Sequence, residues 1–208
     1  MSFYSDGNVS TLYLDPKSFI DSTRAVFELP GHHLAYLPNM RLLDVGIFTT
    51  GAGVYNPILG AESIIKNIRL LDGRTELSKA PQYGLWKAFV NQNQDNSTSM
   101  SVRSPKSLTQ LGYTEFNTQE LLVSIPTVGG SDTTRATTYT SMVDLREALP
   151  MLASMSHLPS ELFGNLRLEI EFNTALSNHV LQNDNNGVSG QIFPILAVDV
   201  IDNPRIVN

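Results

Sequence analysis

Side chains able to do chemistry are few in this chain, and they are scattered. Its four histidines are His32, His33, His157 and His179, and cysteine is absent. Without thiols there are no disulfides, thiolate nucleophiles, zinc ribbons or iron–sulfur ligands, so the fold must hold by packing alone. The adjacent pair His32-His33 would point to opposite sides of an extended backbone and chelate poorly. His157 stands between Ser156 and Leu158 in a turn-like stretch, with no acidic residue at a spacing that suggests a triad. No nucleophile elbow, phosphate-binding Walker loop, dinucleotide fingerprint or H-E-x-x-H pair occurs.

Two further patterns resemble sites and fail on inspection. Asn183-Asp184-Asn185-Asn186-Gly187 looks like half of a calcium loop. Placing Gly187 at its invariant sixth position puts Gln182 first and Phe193 twelfth, where Asp and a bidentate Glu are required. Glu169 and Glu171 share a face, as paired acid/base carboxylates would. Arg167 stands beside them on that face, and all three alternate with apolar residues, so a surface charge ladder is expected. Arg103, Lys106 and Arg135, with Tyr113 and Tyr139 nearby, read as solvated loop residues. The sequons at Asn8 and Asn96 read as chance, because no secretory signal is recognisable. The chain is therefore expected to carry no catalytic, metal-binding or cofactor-binding residues, and not to be an enzyme.

The elements that would hold these side chains follow a period of two. In Leu166–Phe172 the residues Leu166, Leu168, Ile170 and Phe172 fall on one face, and Arg167, Glu169 and Glu171 on the other, as only a half-buried strand allows. Arg24–Leu29 places Ala25, Phe27 and Leu29 inward, and Leu42–Phe48 reads with Leu43, Val45 and Ile47 inward. Glu120–Ile125 and Ile195–Ile201 alternate in the same way, the latter with Leu196, Val198 and Val200 inward. Thr11–Leu14 is expected at an edge, and Thr137–Val143 is a weaker strand. Ile64–Leu71 and Arg74–Leu77 flank Asp72-Gly73, which predicts a hairpin with a type I′ turn. About eight antiparallel strands without βαβ spacing point to a sandwich or a barrel.

Two helical segments interrupt the strands. Pro81–Val90 pairs Leu85 with Phe89 and Trp86 with Val90 at i,i+4, a stripe expected to face the core. Asp144-Leu145-Arg146-Glu147 reads as a capping box, limited by Pro150 and continued by Leu149, Leu152 and Met155. Three connections, 91–112, 126–138 and 173–190, read as long polar loops of the kind that bind partners or move.

Composition sets the outer bounds. With 41% apolar residues and a charge of −6 (14 Lys+Arg against 20 Asp+Glu), the chain has a core to build. It lacks any whole-molecule attraction for nucleic acid or anionic lipid. Its longest apolar run, Ile192 to Val198, is about a third of a bilayer span. No composition break divides the chain, which reads as one domain over 1–208, soluble and made in a reducing compartment.

Leu145-Arg146-Glu147-Ala148-Leu149, followed by the stretch Leu158-Pro159-Ser160-Glu161-Leu162-Phe163-Gly164-Asn165 into Leu166–Phe172, resembles major capsid proteins of the double jelly-roll lineage. That lineage includes adenovirus, virophages and polinton-like viruses. The Gly-led run Gly60 to Gly73, entering an apolar strand and leading to a helix with Tyr83, Leu85, Trp86 and Phe89, is similar to another of their stretches. The resemblance covers residues 24 to 172 through strand and turn patterns. It implies an all-β fold, an antiparallel jelly-roll β-sandwich with one or two short helices in its connections. It further implies a structural protein of the icosahedral capsid of a double-stranded DNA virus, located in the virion. The implied partners are copies of itself and other capsid proteins, in trimeric or pentameric capsomers. A full double jelly-roll subunit needs two sandwiches, so this chain corresponds to a single jelly-roll penton or minor protein, or to the N-terminal half of a longer subunit. The ending Asp202 to Asn208, directly after a strong strand, favours the latter.

Two other readings compete. One is a carbohydrate- or receptor-binding sandwich stacking sugars on Trp86, Tyr113 and Tyr139, against which stands the expectation that Trp86 is core. The other is a metal-dependent or hydrolytic jelly roll, against which stands the placement of all four histidines in predicted loops.

Overall fold

The computed structural model describes residues 9–20, 23–31, 34–43, 53–55, 59–94, 142–173, 180–182 and 194–202. Their strands are β1 (Val9–Leu14), β2 (Ser18–Ile20), β3 (Arg24–Glu28), β4 (Leu34–Tyr36), β5 (Arg41–Leu43), β6 (Gly53–Tyr55), β7 (Ile65–Asp72) and β8 (Thr75–Ala80). Helix α1 (Tyr83–Gln94) follows, then β9 (Met142–Asp144), α2 (Leu145–Ala148) and α3 (Pro150–Ser154). The remaining strands are β10 (Leu158–Pro159), β11 (Leu166–Phe172), β12 (Val180–Gln182) and β13 (Ile195–Asp202).

Period-two alternation does set the core. The inward rows Ala25, Phe27 and Leu29 of β3 and Leu166, Leu168, Ile170 and Phe172 of β11 are buried, as the pattern predicts. Both pack in one cluster with Ile65, Ile68 and Leu70 of β7 and with Leu196, Val198 and Val200 of β13. Every pairing between described strands is antiparallel.

Strand order defines the topology. One sheet runs β2-β3-β11-β7-β8; the other runs β10-β4-β13-β5-β9, with β1 also paired to β13. Strands β4 and β5 both pair with β13, β4 on Val200–Asp202 and β5 on Ile195–Ala197, so they act as one interrupted strand. Residues 37–40 of that strand bulge past Val198 and Asp199, and the Leu37 amide donates to the Asp199 carbonyl at 2.9 Å. Eight positions in chain order (β1, β3, β4/β5, β7, β8, β9/β10, β11, β13) therefore divide into a 1-8-3-6 sheet and a 2-7-4-5 sheet. That wrapping of two Greek keys is a jelly roll.

Several local expectations shift. The segment Leu42–Phe48 is described only through Leu43, and Leu42, not Leu43, enters the core. Burial alternates unbroken through the bulge, with Tyr36, Pro38, Met40 and Leu42 inward, so Arg41 falls on the outer face beside Asp199. The hairpin after β7 forms, but Asp72 pairs with Thr75, leaving Gly73 and Arg74 at the tip. Gly73 has φ 58, and among the described non-glycine residues only Gln82 has positive φ, so the turn has the type II′ pattern and not type I′. The expected loop 173–190 contains β12, which pairs with β6. The strand expected at Glu120–Ile125, the loop 126–138 and most of 91–112 lie outside the described residues.

Asp144 caps α2, its carboxylate accepting from the Arg146 amide at 2.9 Å, but the Glu147 carboxylate of the expected capping box pairs with Lys87 instead. Pro150 sits at the first turn of α3, where a missing amide hydrogen costs nothing. Leu149 and Leu152 are buried, and Met155 packs against the core.

Candidate functional site

The largest departure from expectation is α1. Its apolar stripe was expected to face inward; instead Leu85, Trp86 and Phe89 are 74%, 45% and 67% exposed. The helix also begins at Tyr83, not Pro81, because Gln82 takes φ 50 and breaks the helical path. The side turned inward is Tyr83, Gly84, Lys87 and Asn91, all buried. Spacings of four residues between Tyr83, Lys87 and Asn91 make this one face.

Polar partners beneath the helix explain the inversion. Lys87 Nζ lies 2.7 Å from the Glu147 carboxylate, 60 residues away on α2. The Tyr83 hydroxyl donates to the buried Glu62 carboxylate at 3.3 Å. Burial first, then the charges of Glu62, Glu147 and Asp144, hold the Tyr83 phenol well above its usual pKa, so it stays a donor. Gly84 lets the backbones approach, since a Cβ there would meet the Ile65 carbonyl at 3.3 Å. The buried Glu62 demands a donor and the buried Lys87 an acceptor, and α1 carries Tyr83 and Lys87 on the one stripe that meets both. The legible signal was that single lysine in line with Tyr83 and Asn91.

On the outer face of the β3/β11/β7 sheet the ladder expectation holds in outline. Glu169 accepts from Arg24 at 2.6 Å and also from Arg69, and is buried between them instead of facing solvent. Glu171 accepts from Lys66 at 2.8 Å and Asn67 at 2.5 Å. Those two hydrogen bonds hold its carboxyl below the ordinary range. Arg167, expected beside them, instead donates to the Gly73 carbonyl and closes the β7–β8 turn. Each carboxylate has its own cation, so the two do not share a proton as an acid/base pair would.

A second polar knot lies on the outer face of the other sheet. Asp199 accepts from Thr11 at 2.6 Å, Asn39 at 2.5 Å and Arg41 at 2.8 Å. It ties β1 to the bulged strand, and nothing in the alternation around Val198 and Val200 announced it. Beyond this clamp, β1 pairs only with β13 among the described residues. It carries no charge and no proline, and Val9 and Tyr13 are exposed along it. The opposite edge, β8, carries Glu76 and Lys79, has a register shift against β7 and ends before Pro81. Charge, bulge and proline are devices that block edge pairing, and β8 carries all three.

His157 lies in the turn between α3 and β10, its Nδ1 3.1 Å from the Ser156 hydroxyl. Among the described residues no three His, Asp or Glu side chains gather where they could hold a metal ion. A cleft of about 390 Å³ at one end of the sandwich is lined by Leu14, Glu28, Leu29, Tyr36, Ser160 and Phe163, among others. Its tyrosine donates to the Pro30 carbonyl, and burial pushes the phenol up to about 12. No helix among the described residues is long and apolar enough to cross a membrane. His32, His33, His179, the stretch 183–187, Arg103, Lys106, Arg135, Tyr113, Tyr139 and both sequon asparagines lie outside the described residues. A search against protein-family models finds no match, and one against curated proteins finds no significant match.

Proposed function

We propose that this chain is a structural subunit of a viral capsid, a jelly-roll building block of the icosahedral shell of a double-stranded DNA virus. Its work is contact with copies of itself and with other capsid proteins, inside the virion. The observation that carries the reading is the jelly-roll sandwich itself, with an uncharged strand β1 that, among the described residues, pairs only with β13, while β8 carries charge, a register shift and a following proline. An uncharged strand of this kind at a sheet edge invites pairing with another chain unless something covers it. The resemblance of residues 145–149 and 158–172 to double jelly-roll capsid proteins agrees with this. The test is to express the chain and look for capsomers or particles by light scattering and electron microscopy. Assembly that is lost with Tyr13→Lys supports the reading; a chain that stays monomeric at all concentrations overturns it.

A second reading, a carbohydrate-binding sandwich, gains from one observation. Trp86 is half exposed, with the Tyr83 ring 6.1 Å away, so it is not the core residue that counted against it. Specific glycan binding that is lost with Trp86→Ala would favour this reading over the shell.

A further inference from the structure

We infer that the outward face of α1 is a docking surface for a second copy of this chain. This deepens the shell reading, and rests on it for the partner's identity. Leu85, Trp86 and Phe89 stand at i, i+1 and i+4, which groups them on one side of the helix. From their exposed fractions, and at ~150–250 Å² per aromatic side chain and somewhat less for leucine, they present on the order of 350 Å² of apolar surface. A patch of that size is in the range of the largest apolar patch on a typical monomer, which is often functional. A standard interface buries about 800 Å² per partner, of which about 450 Å² is apolar, so these three side chains supply most of the apolar part of such an interface and under half of its area.

Charge points to the occupant. The twelve residues of α1 contain one charge, Lys87, and it faces inward, held by Glu147. A patch that meets its own copy across a two-fold axis must be self-complementary, and an uncharged one is. The chain as a whole carries a net −6, which makes copies repel on average; the α1 face is a place where they do not. The orientation is also fixed, because Tyr83, Gly84 and Lys87 anchor the helix from below. Rigid, exposed aromatic side chains are the residues that dominate interface energies.

Trp86 is the only tryptophan, so its emission reports on this patch alone. The experiment is a dilution series of the full chain, followed by light scattering, Trp86 emission and acrylamide quenching. Association with increasing concentration, accompanied by a blue shift and a several-fold fall in quenching, is the expected result. The double variant Leu85→Ser/Phe89→Ser, with its far-ultraviolet circular dichroism unchanged, should associate at least about tenfold more weakly. Leu162→Ser, equally exposed but on the 160–162 turn, should associate normally. Unchanged association of the double variant overturns the inference. So does a Trp86 already shielded in the monomer, or one that responds to glycans and not to concentration. Particles that still form from the double variant sink this inference and leave the shell reading standing. Dimers that need Leu85 and Phe89 yet never grow further do the reverse.

Discussion

Removing Glu147 should damage this protein more than removing Lys87, although Glu147 is the exposed member of the pair. The lysine side chain is 9% exposed and the glutamate 61%. In Glu147→Ala the ammonium stays in its nearly dry site without its carboxylate. Losing a charge-assisted hydrogen bond costs about 1.5–3 kcal/mol, and stranding a fully buried charge about 3–5. Water can enter where the exposed carboxylate stood, so the cost should settle at about 2 kcal/mol. Lys87→Met removes the buried charge, keeps an apolar stem of similar reach and leaves Glu147 hydrated, for a loss below about 1 kcal/mol. The double variant should resemble Lys87→Met alone, giving a coupling of about 1–2 kcal/mol. Urea unfolding followed through Trp86 emission measures all three free energies. If Lys87→Met is the more damaging change, or if the two losses simply add, the pair does not anchor α1 as argued.

Three further outcomes test other parts of the fold. Leu168→Ala, at a fully buried position of β11, should lose about 2–5 kcal/mol in the same unfolding assay, and a loss under 1 would mean the two sheets do not pack there. Gly84→Ala, which in a free helix gains about 0.5–1 kcal/mol, should gain nothing here because its Cβ presses on the Ile65 carbonyl; a raised urea midpoint would contradict that close approach. Tyr36 is raised from 10.0 to about 12. The unfolded chain therefore ionises first, and stability present below pH 10 should fall as pH climbs toward 12. Tyr36→Phe should forfeit the bond to Pro30, about 1 kcal/mol at neutral pH, yet flatten that alkaline decline, and an unaltered slope would exclude the mechanism.

Alternation alone determined which side chains of β3, β11 and β13 enter the core, because a strand's two faces are set by adjacent residues. Capping by Asp144 and the turn at Gly73 were equally local, each depending on a few residues in sequence. Where a neighbour far along the chain intervened, the reading slipped. Leu42 replaced Leu43 in the core because it continues the inward row of Tyr36 and Met40 along the strand that pairs with β13. Glu169 became buried because Arg24 and Arg69, 145 and 100 residues away, close over it from adjacent strands. Helix α1 turned its apolar side to solvent because the buried Glu62 lies beneath Tyr83 and Lys87 reaches Glu147 on α2, and a buried charged group without a partner costs more than an exposed leucine. Period and propensity are written between neighbours in sequence; which charges meet, and so which face of a helix is free to dock, is decided only when the sheets have brought distant strands together.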